Sequence, residues 1–396
     1  MSPPRSNDRS VLVALLLGGL VLRPQLVGIG PLSADIQGDL GLTHGMAGLL
    51  ATIPVLCMGL LAPVGTIIAA RFGTAATMAA SFALIGVAGI LRTVVDDPWS
   101  MMALTTGIGL GMGAAGVLMP VVVREHLPGR ALDGTVAYSA GIQAGAAASA
   151  AAAIPLAALL GGWRGALMVI SVVSLGVLIP WIAAFRGRSH SAGSLRMTSI
   201  RDFFDRTGWW FALLFGLFGV AYYGMIAWLA DAYIEFGWTS AAAGGLLALL
   251  NIGALTGALT VRTIVGAVGS QNATIVLMGT VFAAAIAGLA LAPDLGLVWA
   301  ALAGYANGSL FPLMLTLPVR SSSSTEQVAG RSTVMIGAGY TLAAVSPVVL
   351  GAARDASGSF HASLVILVIV AGVLAVGLLG TIAAARRWMP PDPGSA

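Results

Sequence analysis

Twelve apolar stretches, each about 20 residues or longer and parted by short polar turns, run along this chain. They lie approximately at 11–34, 45–70, 74–93, 98–123, 132–158, 163–185, 208–232, 240–262, 271–292, 295–318, 330–353 and 361–385. No other feature restricts the fold as much. Inside hydrocarbon every backbone N–H and C=O must find its partner within the protein, so stretches of this length are helices. Composition agrees, with 58% hydrophobic and 9% charged residues, where soluble domains carry about 25% charged. The pattern predicts an all-α integral membrane protein and excludes one large soluble core. The first stretch lacks a small-residue cleavage site followed by a polar mature domain, so it reads as a retained span, not a signal peptide. Cys57 is the one cysteine, which leaves no intrachain disulfide and argues against thiolate-held metal. No metal and no cofactor is expected.

All 19 basic residues are Arg. With the N-terminus inside, Arg92, Arg164 and Arg354 fall on the outer side, Arg23 lies within the apolar layer, and the other 15 lie in cytoplasmic segments. Such bias over short loops sets orientation. It predicts a multi-pass protein of the plasma (cytoplasmic) membrane with both termini in the cytoplasm. The net charge of +4 is thus a topology signal, and no nucleic-acid partner follows from it.

The two halves repeat. Gly48-Leu49-Leu50 returns as Gly245-Leu246-Leu247, Leu118-Met119-Pro120-Val121 as Leu310-Phe311-Pro312-Leu313, and Gly129-Arg130 before Tyr138 as Gly330-Arg331 before Tyr340. Each match is weak in so apolar a chain, but all share an offset of roughly half its length. The expected organisation is an N-terminal six-helix bundle over 1–185, a cytoplasmic linker over 186–207 and a C-terminal six-helix bundle over 208–396. Within the linker, Arg201–Arg206 reads as a short amphipathic surface helix with Phe203 and Phe204 toward lipid.

Six spans, a basic linker and six more spans resemble the major facilitator superfamily. Particular residues resemble its cyanate-porter branch, which includes 2-nitroimidazole porters: Leu22-Arg23-Pro24 with Gly30-Pro31, the ladder Gly107, Gly109, Gly111, Gly113 leading to Met119-Pro120, Ala227-Trp228-Leu229 with Tyr233-Ile234-Glu235, and Phe311-Pro312-Leu313. The resemblance implies a twelve-helix transporter, acting as a monomer, whose first, fourth, seventh and tenth spans line a central cavity. It also implies that the fifth and eighth spans face each other. There the stripes Gly134, Gly141, Gly145 and Gly253, Gly257 would provide smooth faces for rocking, although static helix packing explains them equally well. The chain departs from the superfamily in two places. Arg71-Phe72-Gly73 is preceded by Ala69-Ala70 where an Asp usually stands, so the charge-pair lock of the cytoplasmic gate lacks its acid. Thr105 and Thr106 stand where proton-driven members often carry a basic signature. The Gly107–Gly113 run is no dinucleotide fingerprint, since it has no strand before it.

Polar groups at mid-depth are few: Arg23, Gln143, Tyr222, Tyr223, Asn251 and Asn307. A guanidinium in hydrocarbon costs roughly 2.5–3.5 kcal/mol on insertion scales. Counted from Val11 at about 1.5 Å per residue, Arg23 lies ~18 Å into a ~30 Å layer. Two readings stand: a substrate-anion site, or a structural Arg bonded to carbonyls freed by Pro24. In the resembled fold Arg23, Tyr222 or Tyr223, and Asn307 converge. One cation, one or two phenols and an amide suit a compact monovalent anion or a planar polar molecule. Each of the other five also reads as an interhelical hydrogen bond, and Trp228 as an interfacial anchor.

No Asp or Glu falls at mid-depth; Asp35, Asp231 and Glu235 are placed at outer span ends. Proton coupling, if used, would carry the proton with the anion in symport or use those acids. His44, His126, His190 and His361 read as surface residues. No His-Glu-x-x-His, intramembrane Asp pair or Gly-x-Ser-x-Gly is present, so an enzyme is not expected. The function expected is secondary transport by alternating access of a small anion or small polar nitrogen compound, with Arg23 as anchor. Multidrug efflux on the same fold is the alternative, and a non-transporting sensor or scaffold the remaining one.

Overall fold

A computed structural model describes residues 6–42, 44–187 and 205–388. Helices account for nearly all of it: α1 Ser6–Leu20, α2 Pro24–Val27, α3 Ile29–Leu40, α4 His44–Leu60, α5 Ala62–Phe72, α6 Thr74–Arg92, α7 Pro98–His126, α8 Ala131–Leu160, α9 Trp163–Gly176, α10 Leu178–Phe185, α11 Arg206–Glu235, α12 Ser240–Val268, α13 Gln271–Leu291, α14 Gly296–Ser321, α15 Thr325–Ser357 and α16 Phe360–Trp388. No strand occurs among the described residues. Ten helical stretches are long and apolar enough to cross a bilayer. Two bent pairs, Thr52–Leu60 with Pro63–Phe72 and Ala131–Ser149 with Ala151–Leu160, bring the number to twelve when each is one span. The all-α membrane class and the twelve spans expected from hydropathy are those observed. The expected surface helix at Arg201–Arg206, with Phe203 and Phe204, falls almost wholly outside the described residues.

Polar caps start several helices where their apolar runs begin. Asp97 accepts from the N–H groups of Trp99 and Ser100 to start α7, and Thr239 and Ser270 do the same for α12 and α13. Gly161 and Gly269, in left-handed conformation, stop α8 and α12.

The chain groups into two compact units, Met1–Gly208 with Ser322–Gly337, and Trp209–Ser321 with Ala338–Ala396. One pairing plan recurs in both. In the first unit, span one packs on span five (α1 on α8), two on four (α4 and α5 on α7), three on four (α6 on α7) and three on six (α6 on α9). In the second unit, eight packs on ten (α12 on α14), nine on ten (α13 on α14) and nine on twelve (α13 on α16). Span seven meets eleven where Gly216 faces Leu342 and Phe215 meets Tyr340. Tyr138 and Tyr340, matched in the sequence repeat, thus play matched parts: the Tyr138 carbonyl lies over Gly19 of span one, and the Tyr340 ring over Phe215 of span seven.

Glycine sets the closest approaches. A Cβ at Gly141 or Gly145 would meet the carbonyls of Leu16 and Leu20, and one at Gly257 or Gly308 the carbonyls of Tyr305 and Ala254. The stripes on spans five and eight are therefore used for static packing inside each unit.

Candidate functional site

Span one is broken where its sequence becomes Leu22-Arg23-Pro24. Proline has no N–H to donate and crowds the residue before it. Helix α1 ends at Leu20, and Pro24 opens the single turn α2 before α3 carries on from Ile29. Within the break the N–H groups of Leu26 and Val27 go to the Arg23 carbonyl and that of Gly28 to the Pro24 carbonyl. Arg23 is buried at 7% exposure and Gln25 completely.

Three other spans hold this break. Ser149 on α8 donates to the Pro24 carbonyl at 2.9 Å. Arg92, the last residue of α6, donates from Nη2 to the Gln25 carbonyl at 3.2 Å and to Gln25 Oε1 at 2.9 Å. Gln25 Nε2 donates to Ser171 Oγ on α9 at 2.9 Å, and the Ser171 hydroxyl donates to the Leu167 carbonyl. Ser149 and Arg92 thus serve the Pro24 and Gln25 carbonyls.

Two residues gain a setting that the sequence did not give. Arg92, expected on the outer side and not counted among the mid-depth polar groups, is 0% exposed. Hydropathy reads an Arg at a span's end as wetted. The broken first span instead offers it a carbonyl and an amide within reach, and its long stem turns inward. Gln143, 8% exposed, lies two residues from both Gly141 and Gly145. Those glycines face α1, so Gln143 is on the opposite side of α8 and is not brought against span one.

In the second unit, α11 and α14 run antiparallel. Tyr233 lies against Gly296, and 15 residues earlier on α11 Phe218 meets Phe311, 15 residues later on α14. Phe215, Phe218, Phe282, Phe311 and Tyr340 form one aromatic cluster with centroids 5.3–6.2 Å apart. One turn along from Phe218 is Tyr222, and one turn back from Phe311 is Asn307, so the phenol and the amide share a level above the stacked rings. Tyr222 and Tyr223 are half-buried and meet edge to face at 5.1 Å. Asn307 is 3% exposed, and its Oδ1 is buried without a hydrogen-bond partner among the described residues. Such an atom is rare in a native core. Asn251 is different: its Nδ2 donates to the Leu247 carbonyl one turn back, at 2.8 Å.

Acids occupy the span ends. Asp35 and Asp39 on α3 and Asp231 and Glu235 on α11 are equivalent pairs, four residues apart in each case. Each pair borders an open cavity, one of about 580 Å³ with Trp163 and Arg164, the other of about 500 Å³ with Trp228, Arg354 and Phe360. Trp228 donates its Nε1–H to the Pro347 carbonyl. No cluster of metal-ligating side chains is found among the described residues.

At the end of the first unit where α7 finishes, His126 departs from its surface reading. Its side chain is 6% exposed and lies edge-on to Phe185, with Glu125 3.9 Å away. Arg71, whose usual acid is missing, lies over the Phe72 ring. Two ties run from this region toward α15: Thr66 Oγ1 to Thr333 Oγ1 at 2.6 Å, and Arg124 to the Ser323 carbonyl at 3.2 Å.

Comparison with known proteins places this architecture. The Major Facilitator Superfamily signature matches residues 15–343. The chain is 30% identical to the 2-nitroimidazole transporter of Escherichia coli (strain K12), covering 93% of this chain and 95% of that protein. It is 28% identical to the cyanate transport protein CynX of the same organism, covering 88% and 91%. Among solved structures, FucP in its outward conformation superposes with a TM-score of 0.76 at 14% identity, over 95% of this chain and 99% of that one. XylE bound to a deoxyglucose derivative gives 0.76 at 13%, over 95% and 96%; at such identity these two speak for the fold alone. A twelve-span helical fold and a signature running through most of the sequence lead to one assignment: the chain belongs to the major facilitator superfamily and is a multi-pass membrane transporter, not an enzyme.

Proposed function

We propose that the protein carries a small monovalent anion or a small planar nitrogen compound across the membrane by alternating access, with Arg23 as the substrate's charge anchor. The observation that carries this reading is the buried guanidinium at the break of span one. A cation in that position gains most from a ligand that compensates its charge. Within the second unit, Asn307 Oδ1 suits an N–H donor, and Tyr222 and Tyr223 suit a flat ring. Relatives whose names specify 2-nitroimidazole and cyanate fit that class. Six-span halves over 1–185 and 208–396, a cytoplasmic linker over 186–207, cytoplasmic termini and a monomeric carrier complete the proposal. Protons, where they couple transport, enter with the anion or through Asp35, Asp231 or Glu235.

The test is a thermal-shift titration of the purified protein and of Arg23→Ala, with cyanate, nitrite, formate, 2-nitroimidazole and bulky cationic drugs. A ligand that binds only the folded state raises the melting temperature by mass action. A shift with a small anion or heterocycle, displaced to much higher ligand concentration in Arg23→Ala, supports the reading. Shifts from bulky drugs alone, unchanged in the variant, replace it with multidrug efflux.

A further inference from the structure

We propose that Arg92 is the positioning residue of the substrate anchor: by clasping Gln25 it fixes the turn that presents Arg23. This rests on the reading of Arg23 as anchor and names the group that sets its geometry.

Arg92 grips Gln25 twice, at the carbonyl and at the side-chain amide, with one terminal nitrogen. Gln25 stands two residues from Arg23 in a segment with only one helical turn of its own. Gripping the main chain there leaves the Arg23 backbone little freedom. The Gln25 amide is then locked from its other side by Ser171, so the turn is held between α6 and α9. Room for this is built in. A Cβ at Gly89, three residues before Arg92 and on the same face of α6, would lie 2.5 Å from Ser171 Oγ and 2.8 Å from Gln25 Nε2.

Stability alone does not account for such a residue. Arg92 is fully buried, pairs with no carboxylate among the described residues, and leaves Nε and Nη1 without hydrogen-bond partners. Desolvating a guanidinium under those terms is expensive, and an apolar residue of similar volume commonly serves a core as well or better. What an apolar residue cannot do is hold a main-chain carbonyl and an amide in one register. Two of the five donors suffice for the observed clasp, and the spare ones suit a hinge that changes shape while staying held.

A double-mutant cycle tests this, with 2-nitroimidazole and cyanate as probes. Affinity is read from thermal-shift titrations and KM and maximal rate from uptake into proteoliposomes, for the unaltered protein, Arg92→Gln, Arg23→Ala and the double variant. The expected result is that Arg92→Gln weakens probe binding and raises KM about tenfold when Arg23 is present, and less than about twofold when it is absent. A lower melting temperature with unchanged affinity, or the same loss in both backgrounds, makes Arg92 merely structural and overturns the proposal. Normal binding by Arg23→Ala, or no shift from either probe in the unaltered protein, instead overturns the anchor reading and this inference with it. If Arg92→Gln does not fold, Gly89→Ala, which displaces Gln25 and leaves the charge in place, is expected to reproduce the Arg23-dependent loss; unchanged affinity there overturns the proposal equally.

Discussion

The rings of Phe218 on span seven and Phe311 on span ten lie 6.2 Å apart and 22° from parallel, and this stack fixes the register of the two helices. Because the helices are antiparallel, one turn beyond the stack brings Tyr222 level with Asn307. The stack is the floor of the polar group in the second unit. Replacing Asn307 by Leu removes a buried oxygen that has no partner, so the melting temperature of the ligand-free protein is expected to stay level or rise. Binding of 2-nitroimidazole is expected to weaken about tenfold, the equivalent of one net hydrogen bond. Parallel melting curves with and without the compound read both effects.

Gly308 faces the Ala254 carbonyl with no space for a methyl group. Gly308→Val is expected to destabilise the protein by roughly 3 kcal/mol or more, since two backbones must move apart. Gly116→Ala is the control: nothing lies within 4 Å of its added Cβ, and stability is expected to be unchanged or slightly improved. Denaturation in detergent under one set of conditions compares the two.

Arg164 ties four groups together: the carbonyls of Thr93 and Val95 at 3.1 and 2.8 Å, and the carboxylates of Asp39 and Asp96 at 3.0 and 2.9 Å. The Asp96 side chain is 90% exposed, so that ion pair contributes little. The carbonyl bonds from a charged donor dominate. Arg164→Ala is expected to cost about 2–3 kcal/mol and Asp96→Ala under about 0.5 kcal/mol, both by thermal denaturation. A high-salt buffer should leave most of the Arg164 effect in place.

The Ser100 hydroxyl, with the N–H groups of Ser100 and Trp99, holds the Asp97 carboxyl below its ordinary value. A depressed carboxyl stabilises the fold above its ordinary pKa, near about 4, and that contribution is lost as pH falls through the lower folded value. Asp97→Ala is expected to melt below the unaltered protein at neutral pH. The gap should close as the buffer is taken below about pH 4.

Hydrocarbon reads a sequence strictly, and what it reads was legible. A span must be long and apolar, so all twelve could be counted. The starts after Asp97, Thr239 and Ser270 were legible too, at 98, 240 and 271, whereas α7 and α12 run on to His126 and Val268, past the expected 123 and 262. Arg23 was visible because no surface lies near it in the sequence. Arg92 was not: at the end of an apolar run it looks like any wetted Arg, and only a break 67 residues earlier gives it a buried partner. Asn307 stood out as a mid-depth amide. Asn251 stood out equally and proved to bond its own helix. His126 looked exposed because the burial of its ring comes from Phe185, on another span. The misses at Arg92 and His126 share one origin, a partner supplied by a distant helix.

That distance has a consequence for how the protein is made. Gln25 precedes Arg92 by 67 residues and Ser171 by 146. When span one leaves the ribosome, neither side chain that will clasp it has been synthesised. It enters the bilayer with its break unheld and its carbonyls served by whatever water or lipid headgroup is at hand. Only when the sixth span has been threaded does the turn around Arg23 reach its final geometry, so the first helix to be translated is among the last to be set.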